Sequence, residues 1–144
     1  GRDTTAQALS WTFYMLAKNP AVEEKLVEEV MQTLGDALAP TYDQIKTMRY
    51  ANAVFHETLR LYPSVPKESK QALADDVLPD GTLVDAGMVV VWIPYAMGRS
   101  RAIWGAHAHE YKPERWLGEK DLQPSSYEYP VFNAGPRICL GRRY

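Results

Sequence analysis

The apolar residues between positions 6 and 18 lie on more than one side of a helix, and this limits the chain more than any other feature. Ala6, Leu9, Phe13 and Leu16 share one face at helical spacing, while Ala8, Trp11, Tyr14 and Met15 make the other side apolar as well. Such a helix is expected to be buried on most sides, against partners outside this sequence. Asn19 followed by Pro20 predicts the start of a second helix, because proline suits the first helical position. Val22, Leu26 and Val30 form its apolar stripe, opposite Lys25, Glu28 and Glu29, so this helix belongs at a surface. A third helix is predicted over residues 50–62, with Ala51, Phe55, Thr58 and Tyr62 on one face and Pro63 as its stop.

The pattern then changes. Pro79-Asp80-Gly81 reads as a turn between short extended pieces, and residues 88–93 are continuous and β-rich enough for a buried strand. A helical turn over residues 103–110 leads into a long irregular stretch rich in Pro, Gly, Ser and Tyr, whose aromatic content argues for order. The net charge of −2 comes without a basic stripe, which excludes nucleic acid as an expected partner. There is no membrane-spanning apolar run and no signal-peptide pattern. A single cysteine leaves no internal disulfide and points to a reducing compartment or a ligating thiol. Both ends fall inside predicted elements, so a partial sequence is expected.

That cysteine closes the strongest chemical signal, the run from Phe132 through Asn133, Ala134, Gly135, Pro136, Arg137, Ile138 and Cys139 to Gly141. A thiolate that binds iron needs backbone N–H groups turned towards sulfur, and Gly135 and Gly141 give a loop that freedom. Phe132 is placed to cover the sulfur. Arg137 is placed to reach a carboxylate on a flat ligand. A helix beginning after Cys139 would bring its amino end to the sulfur. The alternative is a lone buried cysteine in a glycine-containing loop. Arg142 and Arg143 read either as a solvated patch or as a docking point for an acidic electron donor.

Three further motifs stand beside it. Glu57 and Arg60 lie on one helical face, where such pairs are usually solvated and worth a few tenths of a kcal/mol. The opening Gly1-Arg2-Asp3-Thr4-Thr5 is either capping chemistry or a place where a threonine hydroxyl turns onto the helix backbone. The run Val65-Pro66-Lys67-Glu68-Ser69-Lys70 reads as an extended segment after a helix. His107, His109 and Glu110 raise the question of a metal cluster, but residues two apart on a helical turn point to different sides, so a surface position is expected.

Taken together these motifs resemble the cytochrome P450 family. Residues 132–141 match its signature F-x-x-G-x-R-x-C-x-G at every fixed position, Glu57-Thr58-Leu59-Arg60 matches E-x-x-R, and Pro113-Glu114-Arg115-Trp116 stands where a P-E-R-F-like segment follows. The resemblance implies a fold that is mainly α with small β-sheets. The chain would be a partial haem domain, from the middle of the distal helix to the start of the proximal cysteine helix. It implies haem b, with Cys139 as the axial iron ligand and Phe132, Gly135, Arg137 and Gly141 as the cofactor loop. Glu57, Arg60 and Arg115 would form a buried structural network, with Trp116 a tolerable replacement for the commoner phenylalanine. Thr4 would hydrogen-bond dioxygen and Asp3 would relay protons to it. Lys70 stands where the family often has an arginine for a haem propionate, as a point charge instead of a fork. Val65 would line the substrate pocket.

The activity implied is haem-dependent monooxygenation of a lipophilic substrate by O2. Electrons would come from NADPH through a separate flavoprotein reductase, since this chain has no Gly-rich dinucleotide motif. The runs 1–11, 55–63 and 132–137 resemble most the fungal alkane and fatty-acid ω-hydroxylases, and next those of plants. That resemblance implies the cytosolic face of the endoplasmic reticulum membrane, held by an amino-terminal anchor of the full-length protein. Two alternatives stand beside it: a truncated polypeptide without activity of its own, and a haem-binding sensor, which the Asp3-Thr4 pair disfavours.

Overall fold

The computed structural model of the chain describes residues 2–118 and 124–143. Gly1, the first residue of the opening motif, and Tyr144 lie outside the described residues. As expected, the chain is mainly helical with small antiparallel sheets. Helix α1 runs Arg2–Lys18 and α2 Pro20–Leu34, with Asn19 at the junction and Pro20 in the first helical turn. A short helix α3, Tyr42–Thr47, follows, and then α4, Arg49–Leu61. The backbone leaves helical geometry at Tyr62, as the steric demand of Pro63 on its predecessor requires.

Helices α1, α2 and α4 pack together, and Leu16, Val22, Tyr50 and Val54 form the core between them, joined by Leu26, Tyr111 and Leu117. Each aliphatic side chain removed from water there contributes roughly 1.5–3 kcal/mol. The expected stripe of α2 therefore faces inward, but Glu29 is not on the solvent side. Its carboxylate accepts the backbone N–H groups of Tyr50 at 2.7 Å and Ala51 at 2.8 Å. These belong to the first turn of α4, whose N-cap position, Met48, offers no side-chain acceptor.

Helix α1 is only partly covered within this chain. It buries Ala8, Met15 and Leu16, while Leu9, Trp11, Phe13 and Tyr14 are exposed. Among the described residues α2 and α4 cover only part of its circumference. The face predicted for α4 differs. Tyr50, Ala53, Val54 and Glu57 through Leu61 are buried, so the last turn is enclosed all round, while Ala51 and Phe55 are only half-buried.

Strand β1, Glu68–Gln71, pairs antiparallel with β4, Val89–Trp92, and β2, Asp76–Val77, with β3, Leu83–Val84. The predicted turn at 79–81 joins β2 to β3, with Gly81 at φ +87°. The strand predicted as buried is not: Val89, Val90 and Val91 are exposed, because a two-stranded ribbon presents both faces to solvent when no layer covers it. Helix α5, Pro94–Met97, and helix α6, Arg101–Trp104, follow, and α6 stops at Gly105, where φ is +74°. The helical turn expected to reach Glu110 therefore ends earlier. Among the described residues the tail forms four 3-10 turns, Pro113–Trp116, Pro130–Phe132, Gly135–Arg137 and Leu140–Arg143.

Candidate functional site

The carboxylate of Glu57 is fully buried on the last turns of α4. Arg60, one turn on, grips it with Nε on Oε2 and Nη2 on Oε1, both at 2.8 Å, and both side chains are fully buried. The 3-10 turn Pro113–Trp116 packs against α4 and adds Arg115 Nε at 2.9 Å, with the backbone N–H of Lys112 at 2.8 Å, both on Oε1. Trp116 Nε1 donates to Oε2 at 2.9 Å. Thus Glu57, Arg60 and Arg115 do come together. The tryptophan supplies a donor that a phenylalanine cannot. Five donors converge on one carboxylate, so its burial is compensated.

Arg60 also binds the chain that wraps α4. Nη1 donates to the carbonyls of Gly98 and Ala108, the latter at 2.6 Å, and Nη2 to that of Glu110 at 2.9 Å. Its guanidinium lies 5.1 Å from the Trp104 ring. The backbone at Gly98 meets α4 closely: a Cβ there would stand 1.9 Å from the carbonyl oxygen of Arg60.

Beside the ion network lies an aromatic group that connects it to the cysteine loop. The Trp116 ring is 5.1 Å from Tyr129 and 5.2 Å from His56. The Tyr129 hydroxyl donates to the His56 carbonyl at 3.0 Å and meets His56 Nδ1 at 3.2 Å. Both contacts are satisfied together when the ring carries its proton on Nδ1. Burial, and secondarily the Glu57 carboxylate, push the Tyr129 phenol well above its ordinary range, so it stays protonated and donates. The His56 ring meets Phe132 edge-on at 6.4 Å. Sequence reading passed over His56 and Tyr129; the aromatic richness of the tail was their only signal.

Burial, and then the nearby Arg142, lower the pKa of His56 below its ordinary value. Between its lowered folded pKa and about pH 6.5, the unfolded chain binds a proton there that the folded chain does not. The contribution of His56 therefore lets stability rise with pH up to that value and leaves it level above. Urea midpoints compared between the native protein and His56→Gln across roughly pH 5 to 7 should show a steeper rise for the native protein. Parallel profiles would contradict this.

In the cysteine loop, the Cys139 N–H donates to the Phe132 carbonyl at 2.7 Å, closing residues 132–139 into a ring. Gly135, at φ +63°, and Asn133, at φ +61°, take the left-handed conformation that permits it. A Cβ at Gly141 would lie 3.8 Å from Cys139 Sγ, so its bare backbone lies alongside the sulfur. Cys139 is exposed, so the alternative of a lone buried cysteine does not hold, and the Phe132 ring meets that of His56. Residues 140–143 behind Cys139 form a 3-10 turn. Arg137 is exposed.

At the other end, Asp3, Thr4 and Thr5 lie inside α1, so they are not its cap. Asp3 pairs with Arg2 at 3.3 Å on the exposed surface. Ser64 Oγ donates to the Thr4 carbonyl at 2.8 Å, which ties that turn to the segment carrying Val65, itself exposed. The Trp11 ring stacks on Tyr62 at 4.2 Å in the same contact. Lys70 is exposed on β1, its Nζ 5.9 Å from the Trp92 ring. His107 Nδ1 lies 2.7 Å from Glu110 Oε1, an exposed pair that lowers the Glu110 pKa.

The chain thus joins a buried carboxylate clamp, on the helix before its small sheets, to a glycine-bearing loop that presents one thiol. The family described as Cytochrome P450 matches residues 1–144, and the chain belongs to that family. It is 48% identical to cytochrome P450 94A1 of Vicia sativa, over 99% of this chain and 28% of that protein. It is 45% identical to cytochrome P450 86B1 of Arabidopsis thaliana, over 100% and 28%, and 42% identical to cytochrome P450 704C1 of Pinus taeda, over 99% and 31%. The chain thus spans less than a third of the length of these relatives. All three are plant proteins, and they do not support the particular resemblance to fungal ω-hydroxylases. The family implies a haem-thiolate cofactor, and the loop fits it: an exposed thiol, a bare glycine backbone beside the sulfur, and a cationic side chain two residues before it.

Proposed function

We propose that the full-length protein is a haem-dependent monooxygenase acting on a lipophilic substrate, an n-alkane or fatty acid, and that this chain is the part of its haem domain running from the distal helix to the proximal cysteine. The observation that carries this reading is the signature loop, closed by the Cys139–Phe132 hydrogen bond, with its thiol exposed. Cys139 would hold haem b through its sulfur, between Phe132, Gly135 and Gly141, with Arg137 and Lys70 as charges for its carboxylates. When bound, haem supplies O2 activation, one oxygen atom entering a C–H bond and the other leaving as water, with electrons from NADPH through a flavoprotein reductase. Thr4 Oγ1 would donate a hydrogen bond on the distal side, and the Asp3 carboxylate would pass protons to it. Val65 would contact substrate, and the Ser64–Thr4 bond supports placing it near that turn. Glu57, Arg60 and Arg115 would hold the tail that carries the loop.

Location at the cytosolic face of the endoplasmic reticulum membrane belongs to the same reading. Among the described residues no helix is long and apolar enough to cross a membrane, so anchoring would fall to another part of the protein. The exposed apolar residues of α1 favour a second reading for these 144 residues taken alone: a polypeptide without catalysis of its own. The test is the reduced carbon-monoxide spectrum of the complete protein, with and without Cys139→Ala. A Soret band at the thiolate position that disappears on substitution is expected. A histidine-type band in the unsubstituted protein, or no haem, overturns the proposal.

A further inference from the structure

Tyr129 sits where the ion network, the end of α4 and the cysteine loop meet. On one side its ring faces Trp116, whose indole N–H is fixed by Glu57. Its hydroxyl donates to the His56 carbonyl, one residue before Glu57, and meets the His56 ring nitrogen. The His56 ring in turn faces Phe132, and the Phe132 carbonyl accepts the N–H of Cys139. Tyr129 also directly precedes Pro130–Phe132, so its position sets where that turn begins.

We infer that Tyr129 is a positioning residue for the thiol of Cys139. Its hydroxyl pins the start of the loop to α4 and holds His56 against Phe132, so the carbonyl that anchors Cys139 is itself held. The inference rests on the haem-thiolate reading above. A carbonyl that drifts releases the Cys139 N–H, and the sulfur moves with its own backbone. Phenylalanine at this position keeps the ring contacts and loses the hydroxyl alone.

Tyr111 provides the control. Its hydroxyl is also held on α4, 2.9 Å from Thr58 Oγ1 and 3.2 Å from the Val54 carbonyl, but its ring packs against the core between α1, α2 and α4. The experiment uses the complete haem-loaded protein as Tyr129→Phe and Tyr111→Phe, in urea concentrations where tryptophan fluorescence shows both still folded. The readout is the ratio of histidine-type to thiolate-type band in the reduced carbon-monoxide spectrum. For Y129F, which loses both hydrogen bonds of the hydroxyl, that ratio should rise roughly five-fold or more, and for Y111F it should stay at the native value. An unchanged ratio in Y129F, or an equal rise in both variants, overturns the inference. If the native protein itself shows no thiolate-type band, the haem-thiolate reading fails instead, and the two failures are distinct.

Discussion

Glu57→Gln should lower the stability of the folded protein by about 3–5 kcal/mol, the usual cost of removing one partner from a buried ion pair. The substitution changes little in shape. It replaces an acceptor-only group by one acceptor oxygen and one NH2 group, and the NH2 then faces donors already aimed at it. If nitrogen takes the Oε2 position it meets Arg60 Nε and Trp116 Nε1; in the other position it meets Arg60 Nη2, Arg115 Nε and the Lys112 N–H. No rotamer escapes the conflict. Arg60 also keeps its charge at full burial with no counter-ion on α4. Urea unfolding of the complete protein, read as free energy and not as midpoint alone, measures the effect. A loss below about 1 kcal/mol would place the pair among ordinary surface ion pairs and contradict the burial described.

The second large effect is expected at Gly98→Ala, and here two principles predict opposite signs. Gly98 has φ −63° and ψ −15°, right-handed helical geometry that alanine adopts easily. On conformational entropy alone the substitution should stabilise by about 0.4–1 kcal/mol. The space decides otherwise. The added Cβ would lie 1.9 Å from the Arg60 carbonyl oxygen and 3.0 Å from its carbonyl carbon. Both are backbone atoms at the enclosed end of α4, so relief requires the chain at Gly98 to withdraw. Withdrawal also stretches the bond from Arg60 Nη1 to the Gly98 carbonyl. Overpacking costs typically 1–3 kcal/mol, and the loss of an Arg60 partner adds to it, so destabilisation of at least about 2 kcal/mol is expected. A neutral or stabilised G98A in the same unfolding measurement would show that the approach of the two segments is looser than described.

The two sites differ in how far sequence reveals them. The pairing of Glu57 with Arg60 follows from a three-residue helical spacing, a local relation, and family resemblance adds Arg115. What makes the pair unlike a surface pair is its enclosure. The carbonyls of Gly98, Ala108 and Glu110 reach Arg60 across 38 to 50 residues of chain, and no local pattern encodes that convergence. Gly98 is for the same reason indistinguishable in sequence from a turn glycine. Helix α3 is a different kind of miss. The Thr41–Gln44 capping box that starts it is a written signal, with Gln44 N–H on Thr41 Oγ1 and Gln44 Oε1 accepting the Thr41 N–H. The β-rich run at 88–93 was legible as a strand but not as an exposed one, because period and composition do not say whether a layer covers it.

The five-donor carboxylate also has a consequence for the order in which the chain folds. Arg60 is available to Glu57 as soon as α4 forms, but Arg115 and Trp116 are 58 and 59 residues away. Closing such loops precedes any reward from the contacts they allow. Until residues 112–116 arrive, the pair keeps its water and α4 remains a solvated helix end. Desolvation of Glu57 thus belongs to the late, downhill side of folding, where the tail is fastened over a helix already in place. Interactions formed at that stage act mainly as a brake on unfolding. The clamp would then govern how long the cysteine loop stays assembled more than how quickly it assembles.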